Sequence, residues 1–208
     1  MSLIFNKYQN TYRLALWSLE EPLQFFEEKV KMNAADQKYY AQITNESRKK
    51  EWLAVRFLLR ETLGFWPHIS YTETGKPLLQ NHTRHLSISH SRSMVGILLC
   101  TSPHAGLDIE HIERNIEKVA DRFLSPTEKS YLESYTGTNG KILYWCAKEA
   151  IYKAVNESNI KFSKQINIKQ VNIDKTMSAS FTSDSKHIDF LLSYIELEGH
   201  FVVWTTGL

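Results

Sequence analysis

Gly106-Leu107-Asp108-Ile109-Glu110 alternates small or acidic residues with branched apolar ones. A strict period of two is the pattern of a strand with one face in a core. Residues two apart on a strand share a face, so Asp108 and Glu110 stand side by side while Leu107 and Ile109 point into the core. Just upstream, Leu86-Ser87-Ile88-Ser89-His90-Ser91 alternates in the same way, and residues 95–100 form a continuous apolar run. These are expected to be neighbouring strands joined by a loop at 91–94.

Residues 11–19 alternate as a further strand, and 21–31 are expected to be helical with Pro22 in the first turn. Trp52, Val55, Leu58, Leu59 and Leu63 recur at three and four, which predicts an amphipathic helix over 46–63 ended by Gly64. Gly75-Lys76-Pro77 marks a turn between two short extended pieces. Ser125-Pro126-Thr127-Glu128 places Ser at a cap, Pro at the first helical position and Glu at the third, and so starts a helix. Gly137-Thr138-Asn139-Gly140 breaks the chain before a longer helix at about 140–156. Residues 165–173, 177–183, 187–197 and 200–205 read as a β-meander. The fold class is therefore mixed α/β, with antiparallel sheets and helices packed against them.

Bulk properties narrow the function. A chain of 208 residues suits one compact domain or two small halves sharing a core. A net charge of +2 argues against nucleic acid as a partner. The charge is uneven: residues 1–104 carry 13 Lys/Arg against 9 Asp/Glu, and residues 105–208 carry 12 against 14. Chance gives such a difference easily, but it also suits an anionic ligand held by the first half and a cation held by the second. Cys100 and Cys146 form no disulfide framework and have no zinc-ligand spacing, so both are expected to be reduced core thiols. The first residues lack a signal peptide's apolar stretch, and no apolar run is long enough to cross a bilayer. A cytoplasmic location is expected.

Three clusters can carry chemistry. Adjacent Asp108 and Glu110 repel each other unless a proton or a cation intervenes, and hard oxygen ligands at an open site suit Mg²⁺; alone, such a pair is more often a polar strand edge. Glu149 and Lys153 share a helix face. A bare i,i+4 pair contributes only about 0.3–0.5 kcal/mol, but Trp145, Ala147, Ala150, Ile151 and Ala154 wrap this helix in apolar or small residues, so the face is not plain surface. Ser89-His90-Ser91 sets an imidazole among hydroxyls. Neighbours on a strand face opposite sides, which argues against a serine–histidine catalytic pair and leaves phosphate binding or a structural histidine. Lys76 on its turn, and Arg56 and Arg60 on one helix face, mean little alone.

Taken in order, Gly75-Lys76-Pro77, Ser87-Ile88-Ser89-His90-Ser91, Gly106-Leu107-Asp108-Ile109-Glu110, Phe123-Leu124-Ser125-Pro126-Thr127-Glu128 and the segment from Trp145 to Lys153 resemble the 4′-phosphopantetheinyl transferase superfamily over about residues 48–155. The length looks like the surfactin-type members, which hold two similar α/β halves in one monomer. The resemblance implies subdomains at 1–104 and 105–208 related by a pseudo-twofold axis. It also implies transfer of 4′-phosphopantetheine from coenzyme A to a serine of an apo acyl or peptidyl carrier protein, releasing 3′,5′-ADP, as in a holo-[acyl-carrier-protein] synthase. Asp108, Glu110 and Glu149 match the acidic ligands of Mg²⁺, for which Mn²⁺ is a substitute. Lys153 matches a lysine on the coenzyme A phosphates near the reacting centre, and Glu149 or a metal-bound water is the candidate base. Lys76, Ser89 and His90 match positions at the phosphoadenosine end, with His90 on the 3′-phosphate. The arginine of the first long helix is either Arg48 or Arg56. Lys29 and Lys31 are further candidates for the nucleotide without a motif to anchor them, and Cys146 stands where the family often has Thr or Ser. Two rivals remain: a non-catalytic module that binds coenzyme A or a carrier, and a Mg²⁺-dependent nucleotide-pyrophosphate hydrolase.

Overall fold

The computed structural model describes residues 2–134 and 139–207. The first half begins with strands β1 (Leu3–Tyr8) and β2 (Tyr12–Ser18), followed by helices α1 (Leu23–Lys29), α2 (Ala34–Gln42) and α3 (Glu46–Leu63). A two-stranded sheet of β3 (Ile69–Tyr71) and β4 (Pro77–Leu79) comes next, then β5 (His85–Ser91) and β6 (Met94–Cys100). The second half contains β7 (Gly106–His111), α4 (Ala120–Phe123), α5 (Pro126–Ser134), α6 (Gly140–Val155), α7 (Phe162–Gln165), β8 (Ile166–Val171), β9 (Thr176–Thr182), β10 (His187–Leu197) and β11 (His200–Thr205). No helix among the described residues is long and apolar enough to cross a membrane.

Every strand pairing is antiparallel, in a sheet of order β1-β2-β6-β5 and another of order β7-β11-β10-β9-β8. The two halves repeat one plan. β2 leads through α3 to the hairpin β5–β6, whose second strand returns to pair with β2. β7 leads through α6 to the hairpin β10–β11, whose second strand returns to pair with β7.

Burial explains why residues 14–17 of β2 and the whole of β6 are apolar instead of alternating. Leu14 and Leu16 face a core shared with Leu107, Ile109, Val202 and Trp204 of the second sheet, while Ala15 and Trp17 face Leu53, Leu58 and Leu59 of α3. A strand covered on both faces has no polar side to show. α6 packs with Ala147, Ala150, Ile151 and Ala154 on the outer face of the second sheet, completing a helix–sheet–sheet–helix stack.

The helix expected over 46–63 is α3; Asn45 Oδ1 caps it by accepting from Arg48 N–H (2.9 Å), and Gly64 ends it in the left-handed conformation at φ 82°. The cap at Ser125 is a reciprocal box: Ser125 Oγ accepts from Glu128 N–H (3.3 Å) and Glu128 Oε2 from Ser125 N–H (2.8 Å). The predicted C-terminal meander is present as β8–β11, with β11 also pairing β7. The break expected at 137–140 lies largely outside the described residues. Four elements have no counterpart in the sequence-based expectation: β1, α2, α4 and α7. α2 buries no residue, so it has no apolar stripe to betray it.

Candidate active site at the joint between the halves

The two sheets abut where β5 runs along β7, both of them edge strands. No backbone ladder joins them. Instead the Oγ atoms of Ser87, Ser89 and Ser91 accept from the backbone N–H groups of Leu107 (3.0 Å), Ile109 (3.1 Å) and His111 (3.2 Å). Period-two serines thus satisfy a row of strand-edge donors that would otherwise be buried unpaired. The signal was legible as three hydroxyls on one face of an apolar strand.

On its other face β7 meets α6. Gly106 is the point of closest approach, since a Cβ there would lie 1.9 Å from Ala150 O. Asp108 and Glu110 share Gly106's face and so stand on the side of β7 that meets α6. Both carboxylates are buried. They border a cleft of about 590 Å³, also lined by Ser89, His90, Arg114 and Lys153.

Asp108 Oδ1 accepts from Lys153 Nζ (2.8 Å) and Ser89 Oγ (3.0 Å). Its Oδ2 is buried with no hydrogen-bond partner among the described residues, and the neighbouring Cys146 thiol donates to Phe201 O (3.6 Å). Burial first, then Asp108 and Glu110, push the Cys146 thiol well up, so it stays protonated. Glu110 Oε1 accepts from Trp145 Nε1 (2.8 Å) and pairs with Arg114. Burial raises the Glu110 carboxyl, with Arg114 opposing. Glu149, on the same wall, is pushed up to about 7 by burial and then by the charge of Asp108.

The basic wall is assembled from both halves. Lys153 also donates to Leu107 O (3.0 Å) and Ser89 Oγ (3.1 Å), bridging β5 and β7. Across the cleft, His90 Nδ1 lies 3.2 Å from Glu51 Oε2 and its Nε2 contacts Arg48. Arg48 donating to Nε2 and Nδ1–H donating to Glu51 describe a neutral imidazole, in keeping with a pKa lowered by burial and by Arg48 and Lys153. Lys76 lines a second hollow, of about 280 Å³, that shares Ile88 and Lys153 with the cleft; its Nζ donates to Pro103 O (2.8 Å).

Of the two candidate arginines only Arg48 stands with His90. Arg56 is corrected to a core residue: its guanidinium is buried, pairs with Asp36 (2.9 Å) and lies 3.2 Å from the centre of the Trp52 ring.

Sequence reasoning missed Glu51, Arg114 and Lys148. Lys148 is fully buried, donating to Phe123 O (2.7 Å), Glu128 Oε2 (2.7 Å) and Ile166 O (2.7 Å), while Glu128 Oε1 accepts from Ile168 N–H (2.9 Å). It fixes α6 against α4, α5 and β8, and thereby the direction in which Glu149 and Lys153 point.

Among the described residues no three His, Cys, Asp or Glu side chains form a ready-made metal cage. The donor chemistry still fits a hard cation: three carboxylates on adjoining elements, one oxygen of Asp108 orphaned, and Glu149 raised by burial and then by the charge of Asp108. Mg²⁺ commonly takes one or two carboxylates and completes its shell with water and substrate phosphate. Acidic oxygens facing a lysine, with an arginine–histidine pair opposite, define a site for a phosphorylated substrate and its counter-ion at the seam of a two-sheet α/β protein.

Comparison with known proteins gives that class a family. Residues 105–204 match the family model of the 4′-phosphopantetheinyl transferase superfamily. A 4′-phosphopantetheinyl transferase AcpT of Salmonella typhi is 29% identical over 157 residues, 73% of this chain and 78% of that protein. Its namesake in Escherichia coli O157:H7 is 33% identical over 112 residues, 51% of this chain and 57% of that one. Over these stretches the chain is similar to members of the 4′-phosphopantetheinyl transferase superfamily.

Proposed function

We propose that this chain moves 4′-phosphopantetheine from coenzyme A to a serine of an apo acyl or peptidyl carrier protein, as a surfactin-type monomer of the cytoplasm with subdomains at 1–104 and 105–208. The observation that carries the reading is the convergence of Asp108 and Glu110 on β7 with Glu149 and Lys153 on α6, opposite Arg48 and His90. The carrier serine oxygen bonds to the β-phosphorus of coenzyme A as the bond from that phosphorus to the oxygen of 3′,5′-ADP breaks. Phosphoryl transfer asks a protein chiefly for positioning and charge stabilisation.

Asp108, Glu110 and Glu149 would hold Mg²⁺, which when bound neutralises the pyrophosphate. Lys153, part-buried beside Asp108, stabilises negative charge gathering on the leaving phosphate. Arg48 and His90 hold the 3′-phosphate, and Lys76 steadies the adenosine end from the adjoining hollow. Glu149, poised at about 7, takes the serine proton when ionised.

The test is the intact mass of a purified apo carrier protein after incubation with this chain, coenzyme A and Mg²⁺. A gain of one phosphopantetheine, abolished by EDTA and by Asp108→Asn, is expected. No gain across fatty-acid, polyketide and peptide-synthetase carriers would refute the assignment. Free 4′-phosphopantetheine released without a carrier would instead identify a hydrolase.

A further inference from the structure

Three side chains meet where the end of β5 faces the start of α3. Arg48 and Glu51 are three apart and so share a face of that helix. Glu51 Oε2 accepts from Arg48 Nη1 (3.2 Å) and lies 3.2 Å from His90 Nδ1, while Arg48 also contacts His90 Nε2. The triangle is closed, and Glu51 is its base: its side chain is 13% exposed, against 48% for Arg48 and 36% for His90. A phosphate arriving from solvent meets the arginine and the imidazole first, with the carboxylate behind them.

Charge alone makes this a poor seat for a phosphate dianion. Arg48 and Glu51 cancel, and a neutral imidazole adds nothing. The neighbours do not make up the difference. Asp108 on β7 and Lys153 on α6 are of opposite sign and bonded to each other (2.8 Å), and Arg92, in the turn after β5, pairs with Glu113 (3.5 Å). What the triangle can still gain is a proton on His90. With Nδ1–H donated to Glu51, Nε2 is the basic nitrogen of the ring. Burial first, then Arg48 and Lys153, favour the neutral ring, with Glu51 and Asp108 opposing. A phosphate that draws Arg48 off Nε2 and adds negative charge tips that balance toward the imidazolium. A carboxylate on the far nitrogen fixes the tautomer and stabilises the cation once it forms.

We propose that Glu51 is a positioning residue: it holds His90 with Nε2 toward the 3′-phosphate of coenzyme A, and it stabilises the proton that Nε2 takes from solvent as that phosphate binds and Arg48 turns to it. The proposal rests on the transferase reading, in which Arg48 and His90 meet the 3′-phosphate. It gives a carboxylate, otherwise unfavourable in an anion site, a reason to be there.

Proton and phosphate are then linked ligands, each strengthening the other by the same factor. The titration midpoint of His90 is higher in the complex than in the free chain. Recognition of the 3′-phosphate is therefore full below the free midpoint and is lost as pH rises through the bound one.

The experiment follows the His90 ring by nuclear magnetic resonance across a pH series in Mg²⁺ buffer, its signal identified by loss in His90→Gln. Wild type and Glu51→Gln are each titrated alone, with coenzyme A, and with 3′-dephospho-coenzyme A, which lacks only the phosphate in question. Calorimetry gives the affinity for both ligands in both proteins. In the wild type, coenzyme A should raise the midpoint by at least about one pH unit, and the dephospho compound should leave it in place. The preference for coenzyme A over the dephospho compound should fall by about threefold between pH 7 and 8.5. In Glu51→Gln the midpoint with coenzyme A should lie at least about one pH unit below that of the wild-type complex, and the preference should no longer depend on pH over that range.

A wild-type midpoint that coenzyme A binds without moving would overturn the proposal and leave the transferase reading intact; that measurement needs no variant to fold. A rise of equal size with 3′-dephospho-coenzyme A would overturn it by detaching the proton from the 3′-phosphate. Equal weakening of both ligands in Glu51→Gln, with the pH dependence kept, would overturn it in favour of a purely structural carboxylate. A wild-type chain that binds neither ligand would remove the nucleotide site itself and the proposal with it.

Discussion

Replacing Glu149 by Gln should make the folded chain more stable above neutral pH while ending its activity. The Glu149 carboxyl is raised from an ordinary 4.5 to about 7, first by burial and then by Asp108. An acid whose folded pKa lies above its unfolded value opposes folding once it ionises. The penalty appears as pH rises past 4.5, where the unfolded chain releases the proton and the folded chain keeps it, and is complete above about 7. At roughly 1.4 kcal/mol per pKa unit the full effect is about 3 kcal/mol, and screening at the open side of the cleft trims it to about 2 kcal/mol. A neutral amide of the same shape escapes it. Urea denaturation at pH 8 should therefore show a higher midpoint for Glu149→Gln at an unchanged slope, with a melting temperature raised by about 4–8 °C. At pH 4.5 the gap should have nearly closed. Mg²⁺ should narrow the gap at pH 8 by stabilising the wild type more than the variant. Equal stability at pH 8, or an advantage that grows toward acid, would refute the account of Glu149 as a carboxylate crowded by like charge.

Arg56→Ala should cost about 3 kcal/mol by stranding Asp36 beside an emptied space, with the KM for coenzyme A unchanged; Arg48→Ala should leave stability alone and raise that KM at least tenfold. Steady-state kinetics alongside thermal melts would separate them, and a raised KM in Arg56→Ala would return it to the binding site. Gly106→Ala should force β7 and α6 apart, since its Cβ would meet Ala150 O at 1.9 Å, at a cost of about 3 kcal/mol. Because Asp108 and Glu149 lie on the two sides of that contact, kcat should fall more than KM rises; a melting curve and turnover both like wild type would disprove the close approach.

Local pattern carried much of the fold. α3 was legible because one face is apolar at helical spacing and Gly64 must take a positive φ. β7 was legible because one of its faces is core and the other is acidic. α2 was not, because none of its residues is fully buried and it is held by the Asn33 cap, the Asp36–Arg56 pair between residues 20 apart, and Tyr39 and Tyr40 on Trp52.

The site divides along the same line. Spacing places Asp108 and Glu110 on one face, and Glu149 and Lys153 on another, because each pair is local. Whether the faces meet depends on β5 lying against β7 and on α6 being turned correctly. The first is set by Ser87, Ser89 and Ser91, and the second by Lys148 buried among Glu128 and three backbone carbonyls. Those contacts span 14 to 25 residues, beyond the reach of any period. Arg48 and Arg56 could not be ranked for a related reason. Eight residues along a helix leave two side chains about 80° apart around its axis, too close for sequence to say which one faces the cleft; the packing of α2 over Arg56 distinguishes them.

A repeated plan yet a single cleft requires an asymmetry, and the sheets supply it. β2 is flanked on both edges, by β1 and β6, whereas its counterpart β7 is paired on one edge by β11 and on the other meets only serine hydroxyls. Only β7 therefore lies beside a strand of the opposite half with its carboxylates free of a neighbouring ladder. The charges follow the same division: Arg48, Lys76 and His90 come from the more basic first half, and Asp108, Glu110 and Glu149 from the more acidic second. Lys153 is the exception, a cation on the acidic side, and it is the residue that bonds to both edge strands. A lysine there offsets the repulsion among three carboxylates while no cation is bound, and it stays in place to meet a phosphate when one arrives. Its substitution should therefore disturb the seam as well as the chemistry.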